Sequence, residues 1–398
     1  MVAGVIEDSS EAGYNNQWPA LRTAGRYRVR RPERGRRQGS TMDLIIGTYT
    51  EQLPHVHGKA DGVLTASFDP ASGRIGPATL LAAARNPSYL AASASGENVY
   101  AVHETLDFED QPGGGITAYA RDLRTGQLTE LNARATLGDS PCHVTLDRSG
   151  RFVLNANYGV DAGSVTVHRI EPDGRLGEMT DHVEHAGSGP DPVRQANSHV
   201  HMIASDPVTG DILVSDLGSD TVFGYALDRD GRLAAKASAN LDAVAGAGPR
   251  HLAFHPDGRH LFVVNELDST VCVLRRDDDH FALTDRVPTR AAGAGGQNLA
   301  GAVRVTPSGR HVLVSNRGDD SLAVLRFDPD ASALSLVGIA PDVGECPRDF
   351  IVTPDGRHVI VAGQDSDHLA SYRFDDEAGS LRLLHSAVAP TPVCLVLA

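Results

Sequence analysis

An all-β fold is predicted by three features of the chain. A pattern of short apolar runs recurs along it, the runs are rich in Val, Leu, Ile and Phe, and Asp-Gly or Ser-Gly turns fall between them. No stretch carries the periodicity of an extended helix. The clearest units are GPRHLAFHPDGRHLFVVNELDSTVCVLRR from Gly248, CPRDFIVTPDGRHVIVAGQDSDHLASYRF from Cys346, AGAVRVTPSGRHVLVSNRGDDSLAVLRF from Ala300 and PCHVTLDRSGRFVLNANYGVDAGSVTVHRI from Pro141, with weaker ones near Pro87 and His199. Each is followed by a turn such as DLRTGQLT or DRDGRLAA and one further short strand. Four strands per unit, repeating every ~45–57 residues, predict the blades of a β-propeller.

Taken in order, residues 1–41 hold eight arginines against four acids and no apolar periodicity, and read as a disordered basic extension or a start-site artefact ahead of Met42. Residues from Met42 to about Leu81 supply three strands. Six complete units run from Pro87 to about residue 388, and Pro392–Leu397 supplies one strand. The two incomplete ends are expected to join as a seventh blade, making 42–398 one domain.

Charge and composition exclude several classes. The net charge is −15, or −19 without the basic extension, so nucleic acid is not an expected partner. No run of 18 apolar residues is present, and no membrane partner is expected. Cys142, Cys272, Cys346 and Cys394 form no CxxC pair and are expected as reduced thiols of a cytoplasmic protein.

Calling the strands of a blade A to D outward from the central channel, the start of A and the end of B share one rim. In register, the start of A reads Ser88, Cys142, His201, Arg250, Gly301, Arg348 and Val393. The end of B reads Tyr49, Glu104, Tyr158, Leu217, Glu266, Arg317 and Gln364, preceded by Thr48, His103, Asn157, Asp216, Asn265, Asn316 and Gly363. These columns vary by chemical type, as a shared site built from several blades should, whereas the rest of the unit varies conservatively. Strand-end Asn and Asp also satisfy turn backbones, which gives Asn157, Asp216, Asn265 and Asn316 a structural alternative. Arg250 with Glu266 is open to reading as a plain ion pair. His260, His311 and His358 of the Gly-Arg-His turns are expected at the surface, and His55 and His57 in a solvated loop rather than on a metal.

With these residues in view, residues 43–398 resemble the lactonase family of seven-bladed propellers. The resemblance rests on Gly47-Thr48-Tyr49-Thr50, on Gly248-Pro249-Arg250-His251 with Asn265-Glu266, and on the Ser/Thr-Pro-Asp/Ser-Gly-Arg-His turns. It implies opening of a small anionic sugar lactone of the 6-phosphogluconolactone type, with no metal and no cofactor. The catalytic positions it implies are His201, Arg250, Glu266 and Arg317. Substrate contacts are expected from His199, Arg348, Gln364, Asn265, Asn316, Glu104 and Tyr158, and the chain is expected as a monomer or weak homo-oligomer. His199 is the alternative to His201, because the segment reads Ser-His-Val-His. Arg250→Ala and Arg317→Ala are expected to abolish turnover with thermal stability nearly unchanged. The competing readings are a carboxymuconate-type cycloisomerase, a calcium-dependent lactonase, and a binding propeller, the last disfavoured by only 5% aromatic residues.

Overall fold

The computed structural model describes residues 41–278 and 280–398, so all but the last residue of the expected basic extension lies outside the described residues. Seven antiparallel blades follow one another. Blade 1 comprises Leu90–Ala92, Asn98–His103, Gly115–Arg121 and Leu128–Ala135; blade 2, Pro141–Leu146, Phe152–Asn157, Ser164–Ile170 and Leu176–Glu184. Blade 3 comprises Val200–Ser205, Ile212–Asp216, Thr221–Leu227 and Leu233–Ala235; blade 4, Pro249–Phe254, His260–Asn265, Thr270–Asp277 and His280–Pro288. Blade 5 comprises Leu299–Val305, His311–Arg317, Ser321–Asp328 and Ala333–Ala340; blade 6, Pro347–Val352, His358–Gly363, His368–Asp375 and Ser380–Val388. Blade 7 joins the two ends: Pro392–Leu397 is its strand A, followed outward by Met42–Thr48, Gly62–Asp69 and Thr79–Ala83. The register of the closure pairs Ile45 with Val396 and Ile46 with Leu395.

The core lies between blades. Successive side chains of a strand point to opposite faces, so an all-apolar strand packs against both neighbours at once. Leu44 and Ile46 accordingly join Ile360 and Ala362 of blade 6, while Ile45 joins Leu90 and Val99 of blade 1. Seven such clusters, one per interface, carry the packing round the ring. Fully burying one such side chain is worth about 1.5–3 kcal/mol, so the terminal strand is held by apolar contact as well as by its hydrogen bonds.

One backbone device positions the site. In six blades the A–B ladder slips by one residue near the channel mouth. The residues left out of register are Cys142, His201, Arg250, Arg348 and Val393, and in blade 5 the Gly301–Ala302 pair. A β-bulge frees a residue from the ladder and re-aims its side chain, and here the freed residue is the one that varies in chemical type. In four of these blades it follows a proline that is itself preceded by a left-handed residue, Ser140, Gly248, Cys346 or Thr391, and blade 1 repeats the left-handed residue and proline at Asn86-Pro87 without the slip; φ lies between 41° and 66° at all five. Four of these are not glycine, so each stores backbone strain of about 1 kcal/mol or more at the rim.

The opposite rim differs from expectation. His260, His311 and His358 are buried, at 3%, 0% and 1% exposure, rather than on the surface. Each starts a B strand and wedges between blades: His260 meets Ser332 Oγ at 2.9 Å, while His311 and His358 pack edge-on against Phe374 and Phe68. An imidazole joins an apolar ring face to a polar edge, which suits a blade seam where a strand begins. All four cysteines are free.

Candidate functional site at the channel mouth

The bulged residues meet at one end of the channel. Ser88, Tyr89, Glu104, Cys142, His201, Arg250, His251, Arg348 and Val393 line a narrow cavity of about 10 Å³, space for a single water-sized sphere. Residues from six of the seven blades contribute to it.

Glu266 is the electrostatic centre of the mouth. Its carboxylate, 2% exposed, accepts from Arg194 at 2.5 Å, from Arg250 Nε at 3.0 Å and from Arg317 at 2.6 Å. These cations hold its pKa well below the usual carboxylate range against the opposing effect of burial. Arg250, also 2% exposed, donates further to His251 Nε2 and to the Gly301 carbonyl, both at 3.0 Å. Burial and the neighbouring Arg317 and Arg348 charges lower its pKa from the ordinary guanidinium value. Arg348 has no carboxylate within ion-pair distance among the described residues; it lies over the Tyr49 ring at 5.3 Å and reaches Gln364 at 3.5 Å. A second carboxylate, Glu104, accepts from the Tyr49 hydroxyl at 2.8 Å and from Ser88 at 2.5 Å. Arg194, Arg250, Arg317 and Arg348 therefore face only Glu104 and Glu266, on a body that is otherwise strongly acidic.

Burial, reinforced by Arg250, pushes His201 and His251 well below the ordinary imidazole value. His143 behind them is lowered to about 3, again chiefly by burial. His201 lines the cavity, whereas His199 stacks on Tyr158 with ring centroids 4.3 Å apart. Tyr158 also meets His201 edge-on. Of the two histidines, geometry brings His201 to the cavity.

Most of the expected residues come together: His201, Arg250, Arg348 and Glu104 at the cavity, and Glu266, Arg317, Tyr158 and Gln364 in contact with them. Asn265 and Asn316 do not. Asn265 donates to Thr270 Oγ1 at 2.9 Å, and Asn316 is bonded to Thr289 and Asn298. Both brace strand-end turns, the structural alternative, rather than line the cavity. The geometry argues against the expectation that Arg250→Ala spares stability, because the guanidinium is 2% exposed and its removal takes the donor from His251 Nε2 and the Gly301 carbonyl. His57 is exposed and pairs with Gln52, while His55 leans on Tyr49 near Glu104, above the mouth. Among the described residues the one group of three potential metal ligands in close array, His255, Asp257 and His260, lies at the opposite rim.

Two contributors escaped the sequence reading. Arg194 sits on an inter-blade loop outside the repeat register; Asp191 accepts its backbone N–H, and Gln195, fully buried, anchors the loop to Leu217. His251 stood in the quoted Gly-Pro-Arg-His motif, but its alternation along strand A was not used to place it beside Arg250.

A seven-bladed propeller with a guanidinium-rich, water-sized cavity at its mouth defines the class of fold and site. The match to the family model "Lactonase, 7-bladed beta-propeller" spans residues 43–397, and the chain belongs to that family. Among curated relatives, a Bacillus subtilis protein named 6-phosphogluconolactonase is 33% identical over 308 residues, covering 77% of this chain and 83% of its own. A Pectobacterium carotovorum protein of the same name is 34% identical over 245 residues, covering 60% and 68%. Among solved structures, the Pseudomonas aeruginosa periplasmic gluconolactonase PpgL superposes with a TM-score of 0.83 at 31% identity, covering 90% of this chain and 99% of that one. No helix of the described residues is long and apolar enough to cross a membrane.

Proposed function

We propose that this lactonase opens 6-phospho-D-glucono-1,5-lactone to 6-phosphogluconate in the cytoplasm. The observation that carries the reading is the excess of guanidinium over carboxylate around a neutral imidazole. The names of the Bacillus and Pectobacterium relatives support the phosphorylated substrate. Lactone opening needs a water nucleophile, a proton acceptor and positive charge where the carbonyl oxygen becomes an oxyanion. His201, neutral because it is buried, takes the proton from water, a step worth typically ~10²–10⁴-fold. Arg250 and Arg348, converging on the same cavity, stabilise the oxyanion; one such donor is worth on the order of 10²–10³-fold. Glu266 fixes the guanidinium of Arg250 in place, and Arg317 presents positive charge to the anionic substituent. His199 acts by stacking on Tyr158, and Gln364 by orienting Arg348.

The test is hydrolysis of freshly generated 6-phosphogluconolactone, corrected for spontaneous opening, with and without chelator. Chelator-resistant acceleration that is lost in Arg317→Ala is the expected result. Absence of acceleration overturns the substrate and directs the search to a muconate or another lactone.

A further inference from the structure

A cavity with room for one water does not hold a sugar ring, so the substrate must reach outward from it. On the same rim lies a groove of about 680 Å³, and two of the arginines on its wall, Arg194 and Arg317, bond the Glu266 carboxylate that also holds Arg250 of the cavity. Leu267, Asn298 and Leu299 also line it. The other charged groups on the wall are committed elsewhere. Arg290 spends both arms on Asp319 at 2.6 and 2.7 Å, Asp268 is taken by Arg286 and Thr270, and Asp191 by the backbone of its own loop.

Two observations point to an anion here. Glu266 supplies one negative charge to three guanidiniums, leaving an excess of two positive charges at the boundary of groove and cavity. Arg317, whose side chain is 9% exposed, has a buried Nε with no hydrogen-bond partner among the described residues. A buried guanidinium donor without a partner costs free energy unless a ligand meets it. Arg194, with its side chain 34% exposed on a loop tied down by Asp191 and Gln195, is open to solvent on the groove side.

Resting on the lactonase reading, we propose that this groove is the subsite for the substrate's phosphoryl dianion, with Arg194 and Arg317 as its ligands. The dianion matches the excess charge in sign. Its oxygens take the unpartnered Arg317 Nε and the solvent-facing side of the Arg194 guanidinium, while the lactone carbonyl projects inward toward Arg250 and His201. Arg194 is then the residue that sets preference for a phosphorylated lactone.

The test compares kcat/KM of the full chain for 6-phosphoglucono-1,5-lactone and for unphosphorylated glucono-1,5-lactone, in wild type, Arg194→Gln and Arg194→Lys. In Arg194→Gln the ratio of the two is expected to fall about ten- to a hundredfold, the worth of one charged hydrogen bond, chiefly through KM for the phosphorylated substrate. Arg194→Lys should recover part of the loss. An equal fall for both substrates overturns the subsite and leaves Arg194 as a brace for Glu266. Should wild type accelerate neither lactone, the lactonase reading fails, and calorimetry with inorganic phosphate decides the subsite separately. Binding that weakens in Arg194→Gln supports it; absence of binding to wild type overturns it.

Discussion

Replacing Glu266 by Gln tests whether one carboxylate organises the mouth. The amide keeps the shape but removes the charge, and its nitrogen presents donors to a guanidinium that is itself a donor. Glu266 holds Arg194, Arg250 and Arg317 at 2.5, 3.0 and 2.6 Å at 2% exposure, so at least one charge-assisted bond is lost and buried positive charge is left uncompensated. Breaking a buried pair in this way costs about 3–5 kcal/mol. Arg250 also loses the contact on its Nε, and kcat/KM should fall by on the order of 10²–10³. The assay is urea unfolding, alongside lactone hydrolysis corrected for the spontaneous reaction. Inorganic phosphate should raise the midpoint of the variant more than that of the wild type, because an added anion replaces the missing charge. A variant within about 1 kcal/mol of wild type that retains its turnover would refute the role given to Glu266.

Other outcomes follow from the same geometry. Arg250→Ala should lose both turnover and at least about 2 kcal/mol of stability, seen in paired unfolding and activity assays, because it empties a buried site and takes the donor from His251 Nε2 and the Gly301 carbonyl. Arg317→Ala leaves Glu266 two guanidiniums but takes the donor from the Ala300 carbonyl, so turnover should fall with a stability loss of about 1–3 kcal/mol. With His201 held well below the ordinary imidazole range, the pH profile of kcat/KM should show no inflection between pH 6 and 7; an inflection there would mean that His201 is not the base. His103, His143 and His168 stay neutral in the fold down to about 4, 3 and 4. The unfolded chain binds their protons near 6.5, so stability should fall as pH drops below that value, by about 1.4 kcal/mol per unit for each histidine. His168→Leu, away from the mouth, should flatten the slope in denaturant titrations between pH 6.5 and 4.5, and an unchanged slope would contradict this.

The repeat made the blades and the closure legible because each strand's apolar run is needed twice, once for each neighbouring blade. The rim columns were legible for a related reason: a residue released from the ladder is free to vary in chemical type, and Cys142, His201, Arg250 and Arg348 stood out against a conservative background. The histidines of the Gly-Arg-His turns misled, because a polar residue beside a turn reads as exposed when in fact the next blade covers it. Arg194 was missed for the opposite reason. It lies on a loop with no counterpart in the other units, and only the fold brings it within 2.5 Å of Glu266.

At the head of its bulge blade 5 carries Gly301, and the structure shows what a side chain there would meet. Arg250 reaches across from blade 4 and donates to the carbonyl of Gly301 at 3.0 Å, while the Gly301 Cα faces Ser315. A Cβ added there would lie 2.5 Å from Ser315 Oγ and 3.3 Å from the Pro347 carbonyl. Ser315 Oγ is also the acceptor for the Ala302 N–H, at 2.9 Å. Gly301→Ala must therefore rotate the hydroxyl away and break that bond, which costs about 1 kcal/mol. Ser315→Ala breaks the same bond without the clash. Because the two changes share one loss, the double variant should be little worse than Ser315→Ala alone, a coupling that independent sites do not show. Denaturant midpoints of the four proteins measure it, and kcat/KM should follow the displacement of the carbonyl that holds Arg250. Strictly additive costs would mean that Gly301 and Ser315 do not act through the shared Ala302 bond.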